Sequence, residues 1–166
     1  MNNVKTTAGR TLKKSVRKHR RGGQALVEMS MCLLFVLIPI VLGILEFGLL
    51  ARNNYILANA SREAARVASL GRATSDIETR ASNSAKPMSI SFTTAETWKS
   101  VLLYSNNDGL TWIAWPGNVG AKNGAPVGSL IKVVVGAQHR SITRYFKFLE
   151  GRTINQATTM KREANG

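Results

Sequence analysis

The sequence predicts an α+β protein in which a long N-terminal transmembrane and stalk helix precedes a small, mostly antiparallel β head. Three observations lead to this fold class. An uncharged apolar run covers Met29 to Leu45, an alanine-rich segment of helical composition follows it, and alternating strand patterns begin only near residue 88. We expect a basic leader over 1–23, a transmembrane helix over 24–51, a helical stalk over 52–71 and the head over 72–166.

The apolar run contains 17 residues without a charge. With its apolar flanks it is long enough to cross a bilayer, which takes about 20 mostly apolar residues. Pro39 lies in the middle of the run, and proline is tolerated in membrane helices where neighbouring helices compensate the freed carbonyl. Gly43 and Gly48 are small positions at which another helix could approach closely. The run therefore predicts a single-pass membrane helix that has helical neighbours.

Two glutamates, Glu28 and Glu46, interrupt the extended apolar stretch. An ionisable group within a membrane segment is a functional candidate by default, because its burial in lipid is costly. Two interpretations of Glu46 remain open: it faces the headgroup region, or it pairs with Arg52 or with a cation of a partner protein.

The net charge of +14 is concentrated at the N-terminus. Residues 1–23 carry eight Lys or Arg and no acid. Basic residues beside a membrane span stay in the cytoplasm, so we place the N-terminus inside and the head outside the cytoplasm. The arm has no aromatic residue on which bases could stack, and we therefore expect no nucleic-acid partner. The residues of this topogenic arm nearest the span are Lys13, Lys14, Arg17, Lys18, Arg20 and Arg21.

The first 60 residues admit three interpretations. Ala58 to Ala60 matches the small-x-small pattern of a secretory cleavage site, but it lies well beyond the apolar run. A plain signal anchor would make the helix an inert tether and would leave Glu28 unexplained. The third interpretation is a processed assembly helix.

Because Cys32 is the only cysteine, no intrachain disulfide can form and the head depends on its own core.

The segments after the span predict a helix and several short strands. Residues 59–69 are alanine-rich and strongly helical, with Gly71 as a natural stop. Residues 73–87 are a linker or contain a short helix near 76–84, residues 105–112 form a hairpin around Asp108-Gly109, and 118–128 form a glycine-rich loop. Tyr145 to Leu149 is either a strand or a short amphipathic helix. The predicted strands cover Met88–Thr94, Trp98–Tyr104, Thr111–Trp115 and Leu130–Gly136.

No pattern in the chain indicates catalysis. His19 and His139 are far apart, no His, Cys, Asp or Glu set has metal-ligand spacing, and no glycine loop matches a phosphate cradle. We expect His139 to be a solvated residue at a strand end. The protein is therefore predicted not to be an enzyme and to hold no cofactor and no metal. The three tryptophans are expected in the core of the sheet, with a glycan-binding platform as the alternative.

Residues 21–28 read RGGQALVE, which resembles the processing site of type IV pilin-like proteins. The resemblance implies cleavage by a prepilin peptidase between Gly23 and Gln24, which would make Glu28 the fifth residue of the mature chain. There the carboxylate would pair with the new terminal ammonium of a neighbouring subunit and set the register of assembly. In a low-dielectric setting such an attraction is strong.

Two further blocks narrow the resemblance. Residues 45–48 read LEFG and residues 58–68 read ANASREAARVA, and together with the processing site these look like the TadE-like family of tight-adherence (Tad/Flp) pilus systems. The match departs from the family at Met29, where an aromatic usually follows the glutamate, and at Ala64-Ala65, where the family has a glycine.

The resemblance implies a minor pseudopilin with a pilin-like fold, anchored in the bacterial inner membrane and structural in pilus assembly and cell adhesion. Its implied partners are the membrane, the major pilin and other pseudopilins, the inner-membrane pilus platform and the prepilin peptidase. The alternative is a signal-anchored adhesin or envelope-binding module, whose head would carry the activity.

Overall fold

The computed structural model describes residues 22–90, 92, 100–142 and 144–163 of the chain. Within these residues the helices are α1 (Gly22–Ser69), α2 (Thr74–Ala85) and a 3-10 helix (Arg144–Leu149). The strands are β1 (Val101–Ser105), β2 (Ile113–Ala114), β3 (Asn118–Val119), β4 (Lys122–Asn123), β5 (Leu130–Gln138) and β6 (Thr153–Lys161). The chain divides into two compact units, Met1–Ile38 and Pro39–Gly166. This layout confirms the predicted α+β fold class.

The first unit contains the N-terminal part of α1, and every side chain from residue 23 to residue 38 is exposed. Among the described residues, α1 is the helix that is long and apolar enough to cross a membrane. An 18-residue window of it has a mean hydropathy of 2.7, and 6% of that window is buried. The core helix of a soluble protein would be mostly buried, whereas α1 could cross a membrane by its length and composition and is exposed over this part.

In the second unit, the rest of α1 packs against the head. Its buried residues recur at intervals of three and four, which places them on one helical face: Leu57, Ala60, Ala64 and Ala68. Because alanine side chains are short, the sheet can approach the helix backbone closely along this face. The alanine-rich segment therefore forms the helix predicted from it, and the head covers its apolar face.

The sheet has the strand order β2-β1-β5-β6, and each neighbouring pair is antiparallel. Strand β5 is central, with Val133 opposite Leu102 of β1 and Thr158 of β6. Alternate β5 side chains are fully buried in the same cluster as the alanine face: Ile131, Val133 and Val135. The predicted strand at 130–136 is confirmed, and β5 extends two residues further.

Helix α2 closes the core from another side. Ile77, Ala81 and Ala85 lie four residues apart on one face and are fully buried. The alternative of a linker at 73–87 is therefore replaced by a helix that is two residues longer than predicted at its N-terminal end and one at its C-terminal end. Trp115 donates from Nε1 to Thr74 Oγ1 at 2.9 Å, which ties the start of α2 to the sheet.

The turn between α1 and α2 depends on a glycine and a buried arginine. Gly71 has φ of +76°, a left-handed conformation that favours glycine, and a Cβ there would lie 2.8 Å from Nη2 of Arg162. Arg162 is buried, and its Nη1 donates to the backbone carbonyls of Asn123 and Ala125 and to the side chain of Asn123. Asn123 in turn donates from Nδ2 to Ala68 O and Arg72 O, each at 3.0 Å. One guanidinium thus joins the end of β6 to the loop that caps α1.

The hairpin predicted at 105–112 is present and is held by side-chain hydrogen bonds. The buried Ser105 Oγ accepts from Gly109 N at 3.0 Å, and Asn107 Oδ1 accepts from Thr111 N at 3.0 Å. Asp108 and Gly109 have φ of 53° and 89°, the left-handed values that the Asp-Gly turn signal predicts. At its end, Lys132 Nζ lies 5.1 Å from the centroid of the Trp112 ring.

Several strand predictions need correction. Residues 88–90 of the strand predicted at Met88–Thr94 form no strand, and Phe92 makes only an isolated parallel bridge to Ser100. The strand predicted at Trp98–Tyr104 is β1, which begins at Val101, while 98 and 99 lie outside the described residues. The strand predicted at Thr111–Trp115 is reduced to β2, and the 118–128 loop contains the two-residue ladder of β3 and β4. The described part of Tyr145–Leu149 is a 3-10 helix and not a strand.

Candidate functional site

A buried polar cluster joins α1 to the residue that follows β5. His139 Nε2 lies 3.0 Å from Glu46 Oε1, and His139 Nδ1 lies 3.2 Å from Asn53 Nδ2. Both the Glu46 and the His139 side chains are completely buried. Glu46 and Asn53 are seven residues apart and share one face of α1. With Asn53 as the donor to Nδ1, His139 Nε2 is the donor to Glu46 Oε1.

This cluster corrects two predictions. Glu46 is not exposed toward a headgroup region, because its side chain is completely buried and its carboxylate bonds to His139 of the same chain. His139 is 1% exposed and is therefore not a solvated strand-end residue. The two partners are 93 positions apart, so no local sequence pattern could have shown their contact.

Further polar side chains of α1 bind β6. Gln156 Nε2 donates to Asn54 Oδ1 at 3.1 Å, and the hydroxyls of Ser61 and Thr158 are 2.8 Å apart. Because Ser61 Oγ donates to Ala58 O at 2.9 Å, the Thr158 hydroxyl is the donor to Ser61. The polar residues that follow the apolar run are thus the ones that attach the sheet to the helix.

At the N-terminal end of α1, the predicted processing residues are all exposed. A Cβ on Gly23 would meet no atom within 4 Å. Gln24 Nε2 donates to Glu28 Oε1 at 3.3 Å, one helical turn away. Glu28 lies among exposed apolar side chains such as Leu26 and Met29. The residues predicted to act in processing and assembly are therefore accessible, whereas the basic arm, Lys13 to Arg21, lies outside the described residues.

The proline and the two glycines predicted to contact other helices, Pro39, Gly43 and Gly48, differ in their surroundings. The helix continues through Pro39, which has no N–H to donate to the carbonyl of Phe35. Gly43 faces the head, since a Cβ there would lie 3.4 Å from Cζ of Phe146. A Cβ on Gly48 would meet nothing within 4 Å. Gly43 is therefore used for contact within the chain, and Gly48 leaves an open surface.

An ion pair links α1 to α2 on the outside of the head. Arg80 donates to Glu63 Oε2 from Nη2 at 2.7 Å and from Nε at 3.1 Å. This hydrogen bonding and the charge of Arg80 lower the pKa of the Glu63 carboxyl, with a smaller contribution from Arg66. Burial raises the pKa of Glu78 on α2. Because the Glu63 pair is exposed, we expect it to contribute little to stability.

Among the described residues, no group of three or more His, Cys, Asp or Glu side chains is placed to hold a metal ion. The polar cluster that the structure does contain, around Glu46 and His139, is closed to solvent because both side chains are completely buried. Its chemistry is that of a structural contact between a helix and a sheet.

Most of helix α1 is similar to a known protein family. Residues 23–66 match the family model described as TadE-like protein. This segment of the chain is TadE-like. The resemblance carried by the three sequence blocks is thereby confirmed over α1 from Gly23 to Arg66. The TadE-like segment indicates a Tad pilus-associated protein with an N-terminal helix of membrane-anchor type. No curated protein and no solved structure matched the chain.

The TadE-like segment contains the exposed Glu28 and the buried Glu46. Glu28 lies on its uncovered part and Glu46 on the part covered by the head. Sequence reasoning identified both glutamates but missed His139 as the partner of Glu46 and Asn53 as the second partner of His139. One signal was available, because Asn53 lies seven residues after Glu46 and therefore on the same helical face.

Proposed function

We propose that this protein is a minor pseudopilin, an assembly protein of a Tad-type (type IV-like) pilus. In this proposal α1 anchors it in the bacterial inner membrane, with the leader in the cytoplasm and the head outside. The observation that carries the proposal is the coincidence of the TadE-like segment with a helix whose N-terminal part is uncovered by its own chain. The role is structural and requires no catalytic activity, cofactor or nucleic acid.

The uncovered part of α1 supports anchoring and assembly. Large apolar side chains there are at least half exposed, among them Leu33, Leu34, Phe35 and Val36. Each such side chain favours an apolar environment over water by about 1.5–3 kcal/mol. Lipid covers this surface while the protein is a single subunit in the membrane, and helices of the major pilin or of other pseudopilins cover it in an assembled filament.

Glu28 is the residue we propose for subunit register. Its carboxylate bonds to Gln24 at 3.3 Å, which is longer than a typical charge-assisted hydrogen bond of about 2.7–2.9 Å. A terminal ammonium freed by the prepilin peptidase at Gln24 of a neighbouring subunit is a stronger partner, because the charges attract in an apolar setting. The inner-membrane pilus platform would present subunits to one another in this orientation.

The test measures processing and assembly separately. Native membranes are solubilised and the N-terminus of the protein is determined by mass spectrometry, with a start at Gln24 expected. Glu28→Gln is then compared with Glu163→Gln, the same chemical change at an exposed position of the head. We expect Glu28→Gln to be inserted in the membrane but to lose co-isolation with the pilins and to reduce piliation. Equal piliation in the two variants would contradict the assembly role of Glu28.

A helix replacement tests the proposal against a tethered binding module. The structure restricts the replacement to residues 24–42, since Gly43 and Glu46 already contact the head. We expect an unrelated apolar helix at 24–42 to keep the protein in the membrane and to abolish pilus assembly. Retained function with the unrelated helix would favour a head that acts on its own.

A further inference from the structure

The connection between β5 and β6 exposes large apolar side chains. We call the described residues of this connection, 140–142 and 144–152, the docking segment. Ile142 is 73% exposed and Phe148 is 61% exposed, whereas Leu149 beside them is buried and anchors the segment to the head. Two large apolar side chains therefore lie on the surface of this one connection.

The apolar surface of the docking segment is joined to that of α1 within the second unit. Phe146 packs edge-on against Phe148, with ring centroids 5.9 Å apart, and its Cζ approaches α1 at Gly43. On α1 the neighbouring side chains Ile44 and Phe47 are also more than half exposed. The apolar surface of the helix therefore continues through Phe146 into the docking segment.

The charges of the docking segment are mostly positive. Residues 140–152 contain four Lys or Arg and one Glu, and the side chains of Arg140, Lys147 and Arg152 are exposed. Aromatic and apolar residues mixed with basic residues are typical of segments that lie in the interface of a bilayer. Basic residues there are attracted to the phosphates of anionic lipids.

We propose that the docking segment lies in the interface of the bilayer that α1 crosses. Ile142 and Phe148 enter the boundary between headgroups and acyl chains, and Arg140, Lys147 and Arg152 contact lipid phosphates. This inference rests on the membrane anchoring in the proposed function and adds a second, head-borne contact with the membrane.

The charge pattern favours lipid over a second copy of the chain as the occupant. Two copies meeting through this surface would bring the like charges of Arg140, Lys147 and Arg152 together. An anionic lipid surface complements the basic residues, and the adjoining part of α1 brings the segment to it.

The proposal also gives a role to the buried Glu46 cluster. If the segment lies at the interface, the apolar span ends near Gly43, and Glu46 follows where lipid gives way to headgroups. A carboxylate facing acyl chains there would be costly. The head covers Glu46 and supplies His139 as its hydrogen-bond partner, so that the helix leaves the membrane without exposing this carboxylate to lipid.

The test uses the full chain, one copy per lipid nanodisc, with an environment-sensitive fluorophore on a single cysteine. The native Cys32 reports on the span. In a Cys32→Ala background, Ile142→Cys and Phe148→Cys report on the docking segment, and Leu110→Cys, an apolar position that is 85% exposed on the hairpin, is the matched control. Nanodiscs contain phosphatidylglycerol or only phosphatidylcholine, and a spin label on the acyl chain serves as the quencher.

We expect a blue shift and loss of fluorescence by quenching at residues 142 and 148 but not at residue 110, with more quenching in phosphatidylglycerol. Arg140→Gln combined with Lys147→Gln should remove that lipid preference, whereas Arg62→Gln combined with Lys86→Gln should keep it. If the label on Cys32 is quenched and the labels on residues 142 and 148 are not, the docking proposal is overturned and the anchoring stays intact. Absence of quenching at Cys32 itself would overturn the anchoring on which it rests. A blue shift that appears only when a second copy is added would assign the surface to subunit contact and reject the lipid.

Discussion

Removing the Glu46 carboxylate tests whether the head is attached to α1 through the buried cluster. In Glu46→Ala the imidazole of His139 loses its bond from Nε2, 3.0 Å long, while Nδ1 keeps Asn53. A hydrogen bond to a charged group contributes about 1.5–3 kcal/mol, and a buried donor left without a partner costs about 1–3 kcal/mol. Because the two effects overlap, we expect the free energy of unfolding to fall by about 3 kcal/mol.

Two further variants separate the loss of the hydrogen bond to His139 from the loss of side-chain volume. Glu46→Gln keeps an acceptor oxygen at the same place, so its loss should be about 1 kcal/mol. Glu163→Ala removes an exposed carboxylate and should change stability by no more than about 0.5 kcal/mol. We therefore expect the largest loss of unfolding free energy in Glu46→Ala, a smaller loss in Glu46→Gln and the smallest in the control.

The assay is urea unfolding of the full chain in detergent micelles, followed by tryptophan fluorescence, because the tryptophans all follow residue 72. A double-mutant cycle with His139→Ala measures the coupling between the two side chains. The reasoning is refuted if the losses of Glu46→Ala and His139→Ala simply add, or if Glu46→Ala is no less stable than Glu163→Ala.

Two further predictions concern the ends of the helices. Gly71→Ala should lower the free energy of unfolding by about 1–2 kcal/mol from the left-handed backbone alone, with an additional loss from displacing Arg162, as measured by thermal unfolding; an unchanged midpoint would contradict this. Arg80→Gln should raise the pKa of Glu63 toward its ordinary value in an NMR titration. Because the folded-state pKa is lowered, the stabilisation is complete above the ordinary glutamate pKa of about 4.3 and is lost as the pH falls through the lowered value, so the wild-type advantage over Arg80→Gln should disappear at acid pH.

Local patterns predicted the elements whose stability depends on neighbours in the chain. The alanine-rich helix needs only favourable propensities and short-range hydrogen bonds, and the hairpin at Ser105–Trp112 needs only its turn residues. Strand β5 was recognisable because its alternation has a buried face. The strand predicted at Met88–Thr94 had the same alternation and failed over residues 88–90, since a strand also needs a neighbour to pair with, and no periodicity shows which segments meet.

The polar residues of α1 show most clearly what could not be predicted from the sequence alone. Glu28 and Glu46 look alike in sequence, each a carboxylate beside apolar residues. Glu28 is exposed with Gln24 as a partner within its own turn, and Glu46 is buried with a partner 93 positions away. The helix itself sets which residues share a face, but only the folded head decides which part of that face is covered.

By itself the sequence determined that the chain has a long apolar helix and that an antiparallel β head follows, because composition and periodicity act over a few residues. The resemblance to the TadE-like family was carried by three short motifs in order along the helix. Only the tertiary structure decided where the head meets α1, from Gly43 onward, and that His139 neighbours Glu46 while Ile142 and Phe148 are left outside. Those outcomes depend on contacts between distant segments, and they follow from how β5 and β6 pack against the alanine face of the helix.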